Sequence, residues 1–140
     1  MTQKKLLSLE LPLSEILYPT LECTVLGSGE NIKIKQRIRL EALIDTGFDD
    51  YLSIPESLSK QLNLVSKGET EVILGDGSQI TVDVAEIEIE FNFLADRLSI
   101  PVIIDGDDEC LIGTRLLFEI CEAFEINFAK KIICLKNIKL

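Results

Sequence analysis

A mostly β fold in one globular unit is what this sequence predicts, and three observations carry it. Apolar and polar residues alternate with a period of two over several stretches, as in strands with one buried face. The apolar content of 46% is dominated by Ile, Leu and Val while aromatics reach only 6%, which suits packed strands and argues against disorder. Turn clusters such as Gly27-Ser28-Gly29-Glu30-Asn31 and Gly75-Asp76-Gly77-Ser78 cut the chain into short runs. At 140 residues the chain is long enough for one domain with a real core.

The elements follow in order. Leu7, Leu9, Leu11 and Leu13 alternate with polar residues and predict a strand that pairs late or across a dimer. Residues 21–26 form a second strand, which ends at the 27–31 turn cluster. Residues 32–40 alternate again through Ile32, Ile34, Ile38 and Leu40, and residues 41–45 lead into a loop. Leu52-Ser53-Ile54 is a short strand. Residues 55–62 then read as a short helix, with Pro55 in its first turn and Ser53 or Ile54 near the cap. Residues 71–74 and 79–93 are the arms of a hairpin around Gly75 to Ser78. Its second arm slips phase at Ala85-Glu86, the sign of a bulge or bend. A strand over 98–104 follows. Leucines, Ile120 and Phe124 at helical spacing predict a helix over 114–124, and 124–128 with 132–135 make a closing hairpin over Ala129-Lys130-Lys131. No repeat, linker or low-complexity segment interrupts the order.

A formal charge of −10 argues against nucleic acid or an anionic membrane as the main partner. Asp105, Asp107, Asp108 and Glu109 are expected to form a solvated loop. Cys23, Cys110, Cys121 and Cys134 show no C-x-x-C spacing. The last three sit among apolar residues, so buried free thiols in a reducing compartment are expected ahead of a zinc site. The start, Met1-Thr2-Gln3-Lys4-Lys5-Leu6-Leu7, briefly imitates a signal peptide. Glu10, Pro12 and Glu15 interrupt the apolar run and no small-x-small cleavage site follows. No stretch approaches the ~20 apolar residues of a membrane span, and a cytoplasmic protein is expected.

The most informative run is Ala42-Leu43-Ile44-Asp45-Thr46-Gly47-Phe48-Asp49-Asp50. An apolar strand enters an Asp-Thr-Gly turn and places a carboxylate on a tight loop. The bland reading is an ordinary β-turn, with Asp accepting a backbone hydrogen bond and Gly allowing a left-handed backbone. The chain contains no histidine, which removes Ser-His-Asp triads, Cys-His dyads and HExxH zinc sites together. Any hydrolysis here has to be done by carboxylates, and Asp45 is the best placed.

With Leu111-Ile112-Gly113 downstream and Gly75-Asp76-Gly77-Ser78 between them, the run resembles the active-site elements of the retropepsin-like aspartic proteases. The three features occur in that family's order and at comparable spacing, from about residue 32 to residue 135. The resemblance implies a single-lobe closed β-barrel with one or two short helices, assembling as a homodimer. Residues 31–140 would be the protease domain, and residues 1–30 an N-terminal extension whose strands contribute to the dimer interface. It also implies an aspartic endopeptidase without cofactor or metal, acting on a peptide or protein. Beginning at Met1 with no flanking polyprotein, the chain is expected to be a stand-alone cellular protease.

Such an enzyme needs two carboxylates about 3 Å apart that share one proton, because two like charges that close cannot both ionise. One Asp-Thr-Gly per chain, with Asp105-Gly106 lacking the central Ser or Thr, requires the second Asp to come from a second copy across a two-fold axis. A shared proton predicts a bell-shaped pH–rate profile with an optimum on the order of pH 4 to 6. By resemblance, Asp45 is the catalytic carboxylate, Thr46 bonds its twin across the axis, and Gly47 leaves the backbone open to substrate. Asp49 and Asp50 are substrate-edge acids that brace the loop. Gly75, Asp76 and Gly77 form a mobile flap, and Leu111, Ile112 and Gly113 brace the catalytic loop. The strand 132–140 is expected at the dimer interface with part of the first twenty residues.

Two positions depart from the family pattern. Phe48 replaces a small residue and is expected to narrow a subsite or shift selectivity. Thr114 separates Gly113 from Arg115, so the usual ion pair from Arg to the acid at Asp49 is expected to be absent or re-routed. The alternative reading keeps the fold and gives up the chemistry: a weak or inactive module that binds peptides or dimerises.

Overall fold

A computed structural model describes residues 7–27, 36–105 and 108–139. The 28–31 turn residues, the strand start over 32–35, Gly106 and Asp107 lie outside the described residues. Among those described, ten strands and two helices run in the order β1 Leu9–Pro12, β2 Thr20–Gly27, β3 Arg37–Ile44, β4 Leu52–Pro55, α1 Glu56–Gln61, β5 Gly68–Ile73, β6 Gln79–Glu90, β7 Leu98–Asp105, β8 Leu111–Ile112, α2 Thr114–Ile120, β9 Cys121–Asn127 and β10 Ile132–Ile138.

Seven strands form one sheet in the order β2-β3-β8-β4-β7-β6-β5, and β6 also pairs with β2. That extra pairing closes a six-stranded barrel and leaves β5 outside it as the first arm of the β5–β6 hairpin. Closure removes the open edges from the barrel. β2 therefore belongs to the barrel wall, pairing with β3 from Thr20↔Leu43 to Leu26↔Arg37 and with β6 from Thr24↔Glu90 to Gly27↔Ile87. A second, three-stranded antiparallel sheet has the order β1-β10-β9.

The barrel interior is aliphatic, with Leu21, Val25, Ile54, Ile87, Ile89 and Ile112 at 1% exposure or less. Helix α2 joins the two sheets through buried Leu116, Leu117 and Ile120, and Ile133, Leu135 and Ile138 of β10 extend the same apolar cluster. At about 25 cal/mol per Å² of apolar surface removed from water, such a cluster is the main favourable term in folding.

Two local expectations are corrected. The helix expected over 114–124 stops at Ile120, and Cys121 is already extended at φ −151°, ψ 164°. Residues 121–127 instead pair with β10, from Ile138↔Cys121 to Ile132↔Asn127, and Lys139 N donates to the Ile120 carbonyl at 2.9 Å. The Leu116–Ile120–Phe124 spacing suits a helix, but a full strand partner overrides it.

The phase slip in β6 is not a bulge against β7, because their register runs unbroken from Asp83↔Ile104 to Ile89↔Leu98. Its cause is a change of partner on the other edge, from β5 up to Val84 to β2 from Ile87 onward.

β10 lies in the segment 132–140 expected at the dimer interface. It is the central strand of its sheet, with β1 on one edge from Leu9↔Leu135 to Pro12↔Ile132 and β9 on the other. Beyond β1, the Ile138 amide still donates to the Leu7 carbonyl at 2.6 Å. Both edges of β10 are thus used within one chain. β1 likewise pairs within its own chain.

All four cysteines are free thiols. Burial pushes the Cys23 thiol up to about 12, with smaller contributions from Cys110 and Glu22, and burial pushes Cys110 up to about 11. Raised values keep these thiols protonated through pH 9, and their stabilising effect is lost as pH rises from 9 toward those values. Iodoacetamide at pH 8 should leave Cys23 and Cys110 unmodified in the native protein and alkylate both in denaturant, as read by peptide mass mapping. Rapid native labelling of Cys23 would contradict its placement in the barrel.

Candidate active site

The site follows from strand order. β8 lies between β3 and β4, parallel to β3 through Leu43↔Leu111 and Ile44↔Ile112 and antiparallel to β4 through Leu52↔Ile112. The loop from Asp45 to Tyr51, which joins β3 to β4, therefore has to cross the end of β8. Gly113 sits at that crossing.

Backbone bonds fasten the loop there. The Asp45 amide donates to the Ile112 carbonyl at 2.9 Å, and the Gly113 amide to the Tyr51 carbonyl at 3.0 Å. The Thr114 amide donates to the Phe48 carbonyl at 2.9 Å and the Arg115 amide to the Asp50 carbonyl at 3.2 Å. The last two are first-turn amides of α2, which have no partner inside the helix. They close the bracing of the loop instead. A Cβ at Gly113 would lie 2.0 Å from the Asp50 carbonyl oxygen and 2.7 Å from that of Phe48. Only glycine fits. Ile112, at 0% exposure, and Leu111 hold the strand beneath it.

Asp45 is half-buried at the head of the loop, and its Oδ1 accepts the Gly47 amide at 2.9 Å. A Cβ on Gly47 would stand 3.2 Å from that same oxygen. The Phe48 amide donates to the Asp45 carbonyl at 3.1 Å, completing a turn. Asp50 Oδ1 accepts the Tyr51 amide at 2.8 Å, which stiffens the return into β4, while Asp49 is exposed.

Opposite the loop stands the β5–β6 hairpin. Its turn is closed by Leu74 N to Ser78 O at 2.8 Å and Gly77 N to Leu74 O at 2.9 Å, and Gly77 has φ +86°, where L side chains are strained. Asp76 Oδ1 accepts from Ser78 N at 2.9 Å and Ser78 Oγ at 2.6 Å, and these bonds hold its carboxyl below the usual value. Ile73 and Leu74, at the hairpin end, expose 69% and 38% of their surface.

Between hairpin and loop lies a cavity of about 330 Å³, whose lining includes Asp45, Gly47, Phe48, Gly75 and Leu111. Five residues singled out from sequence thus meet at one cavity. Thr46 faces elsewhere, into a groove beside Phe118 of α2 and Cys121 and Phe124 of β9. Asp49, Asp50, Asp76 and Gly77 do not line the cavity.

Phe48, the unusual residue after Gly47, is half-buried in the cavity wall. Among the described residues no ion pair joins Arg115 to Asp49 or Asp50. The Arg115 side chain lines a separate surface groove with Tyr51, Phe118 and Glu119.

Two polar cavity residues were missed from sequence. Ser53 is 3% exposed and lines it from β4. Asp105, expected in a solvated acidic loop, is instead the half-buried last residue of β7 and faces the same cavity. The alternation Ile103–Asp105 was the available signal, since residues two apart share a face of a strand.

Solved structures with this architecture include a retropepsin-like aspartic protease from Rickettsia conorii, at TM-score 0.62 and 15% identity, covering 94% of this chain and 91% of that one. The protease of EIAV in complex with the inhibitor HBY-793 matches at TM-score 0.54 and 14% identity, covering 77% of this chain and 92% of that one. No protein-family model matches the sequence, and no curated protein matches it. The fold of this chain is retropepsin-like.

Proposed function

We propose that this chain is one half of a homodimeric aspartic endopeptidase, with Asp45 and the partner's Asp45 as the catalytic pair. The observation that carries this reading is a carboxylate on a loop fastened at Gly113, facing a cavity under a glycine-containing hairpin. One Asp of the pair, ionised, takes a proton from a water held between them. The other, protonated, donates a hydrogen bond to the scissile carbonyl oxygen. The water oxygen bonds to the carbonyl carbon, and the pair returns a proton to the departing amine. Gly47 keeps the floor open to an extended peptide, and the hairpin closes over it as a flap, covering Ile73 and Leu74. The four free thiols support a reducing, cytoplasmic setting.

The surface suited to the second copy is the one that holds Thr46. Its groove runs to β9, whose outer edge carries no strand among the described residues, and to Phe118, which exposes 70% of its surface. With β10 used on both sides, β9 is the strand next to the loop that can accept a partner.

Because the site is built across copies, turnover per chain should fall in proportion to concentration below the dimer constant. Dilution kinetics with a peptide substrate, beside sedimentation at the same concentrations, check this. A fully active monomer would refute the shared dyad.

A further inference from the structure

Resting on that peptidase reading, the geometry points to a side-chain subsite beneath the flap that selects a cationic residue, Lys or Arg, with Asp105 as its specificity-determining group. Ser53 of β4 is in register with Ile103 of β7 and with Leu111 of β8. Asp105 lies two residues beyond Ile103 and so shares its face of the sheet. All four line the cavity, together with Phe48 and Val82.

The chemistry of that lining is uneven. Among the described residues its walls are apolar, its polar side chains are those of Ser53, Asp45 and Asp105, and none is Lys or Arg. Asp45 is assigned to the reaction, and Asp105 is the other carboxylate among the described lining residues. A purely aliphatic side chain entering there would strip water from Asp105 and return no hydrogen bond. A Lys or Arg stem covers the walls with methylenes while its head donates to the carboxylate. Asp105 also interacts within the protein. A carboxylate has about four acceptor sites, so an internal contact leaves capacity for a ligand donor. The formal charge of −10 acts in the same direction at longer range, favouring encounter with cationic peptides.

Peptides identical except for Lys, Arg or norleucine at each position flanking the cleaved bond test this through kcat/KM. The wild-type dimer should prefer Lys or Arg over norleucine at one position by about 10- to 100-fold, the range expected for a charge-assisted hydrogen bond. Asp105→Asn should reduce that ratio to about threefold or less, and Asp105→Glu should keep most of it. Each ratio is taken within one protein, so a partly unfolded variant does not disturb it. Separate Lys and Arg arms show which head group fits. Equal cleavage of the norleucine peptide by the wild type, or an unchanged ratio in Asp105→Asn, overturns the assignment while leaving the peptidase reading intact. Were no peptide cleaved, the same peptides titrated calorimetrically into the chain would decide: tighter binding of the cationic ones, lost in Asp105→Asn, supports the subsite, and equal binding refutes it.

Discussion

Replacing Asp45 by Asn should lower peptide turnover by several orders of magnitude while leaving the fold in place. The amide oxygen of Asn can accept the bond from the Gly47 amide and the side chain fills the same volume, so the loop keeps its shape. It cannot take a proton from water or hold the shared proton, and in the proposed homodimer both halves of the pair are changed at once. Peptide kinetics on purified Asp45→Asn, with the circular dichroism spectrum as a control on folding, make the measurement. Activity within about tenfold of wild type would remove Asp45 from the chemistry. Peptide binding that survives the substitution, alongside a wild type that never turns over, would favour a binding module on the same fold.

Gly113→Ala should give the largest loss of stability of any single methyl added to this chain's active-site region. The new carbon would stand 2.0 Å from the Asp50 carbonyl oxygen, and its neighbours there are backbone atoms of a loop already fastened by the amides of residues 113, 114 and 115. A flexible side chain could swing aside, but this loop cannot without breaking those bonds. Overpacking of this kind costs about 3 kcal/mol or more. The expected result is a chemical-denaturation midpoint shifted well below wild type, with activity lost even where the protein remains folded. A variant of unchanged stability and activity would mean the loop does not rest on Gly113. Gly47→Ala is the milder contrast, since its Cβ would meet a carboxylate oxygen at 3.2 Å.

Much of the architecture was legible from local pattern. Alternation located nearly every strand, because one face of each is buried and the side-chain period is two. The Asp-Thr-Gly, flap and Leu-Ile-Gly runs were readable because each meets a backbone demand that few residues satisfy, as Gly113 and Gly77 show. What escaped was set by partners distant in sequence. Residues 121–124 carry helical spacing and become strand only because β10 lies beside them. The slip at Ala85 marks an exchange of neighbours that no local rule reveals. Asp105 looked like part of an acidic loop, and only its register against β4 turns it into the cavity. The pairing of the C-terminal strand was hidden in the same way: only the structure sets β1 along its edge.

In the proposed homodimer, the central position of β10 would separate folding from assembly. Among the described residues, the terminal sheet is made of β1, β10 and β9 of one chain. If the proposed homodimer holds, such a subunit can persist as a folded, silent monomer and become competent only when two meet, so that cellular abundance itself becomes the on-switch. The dilution that extinguishes turnover should therefore leave the β-sheet circular dichroism signal unchanged, and a loss of both together would show that the lone subunit does not hold its shape.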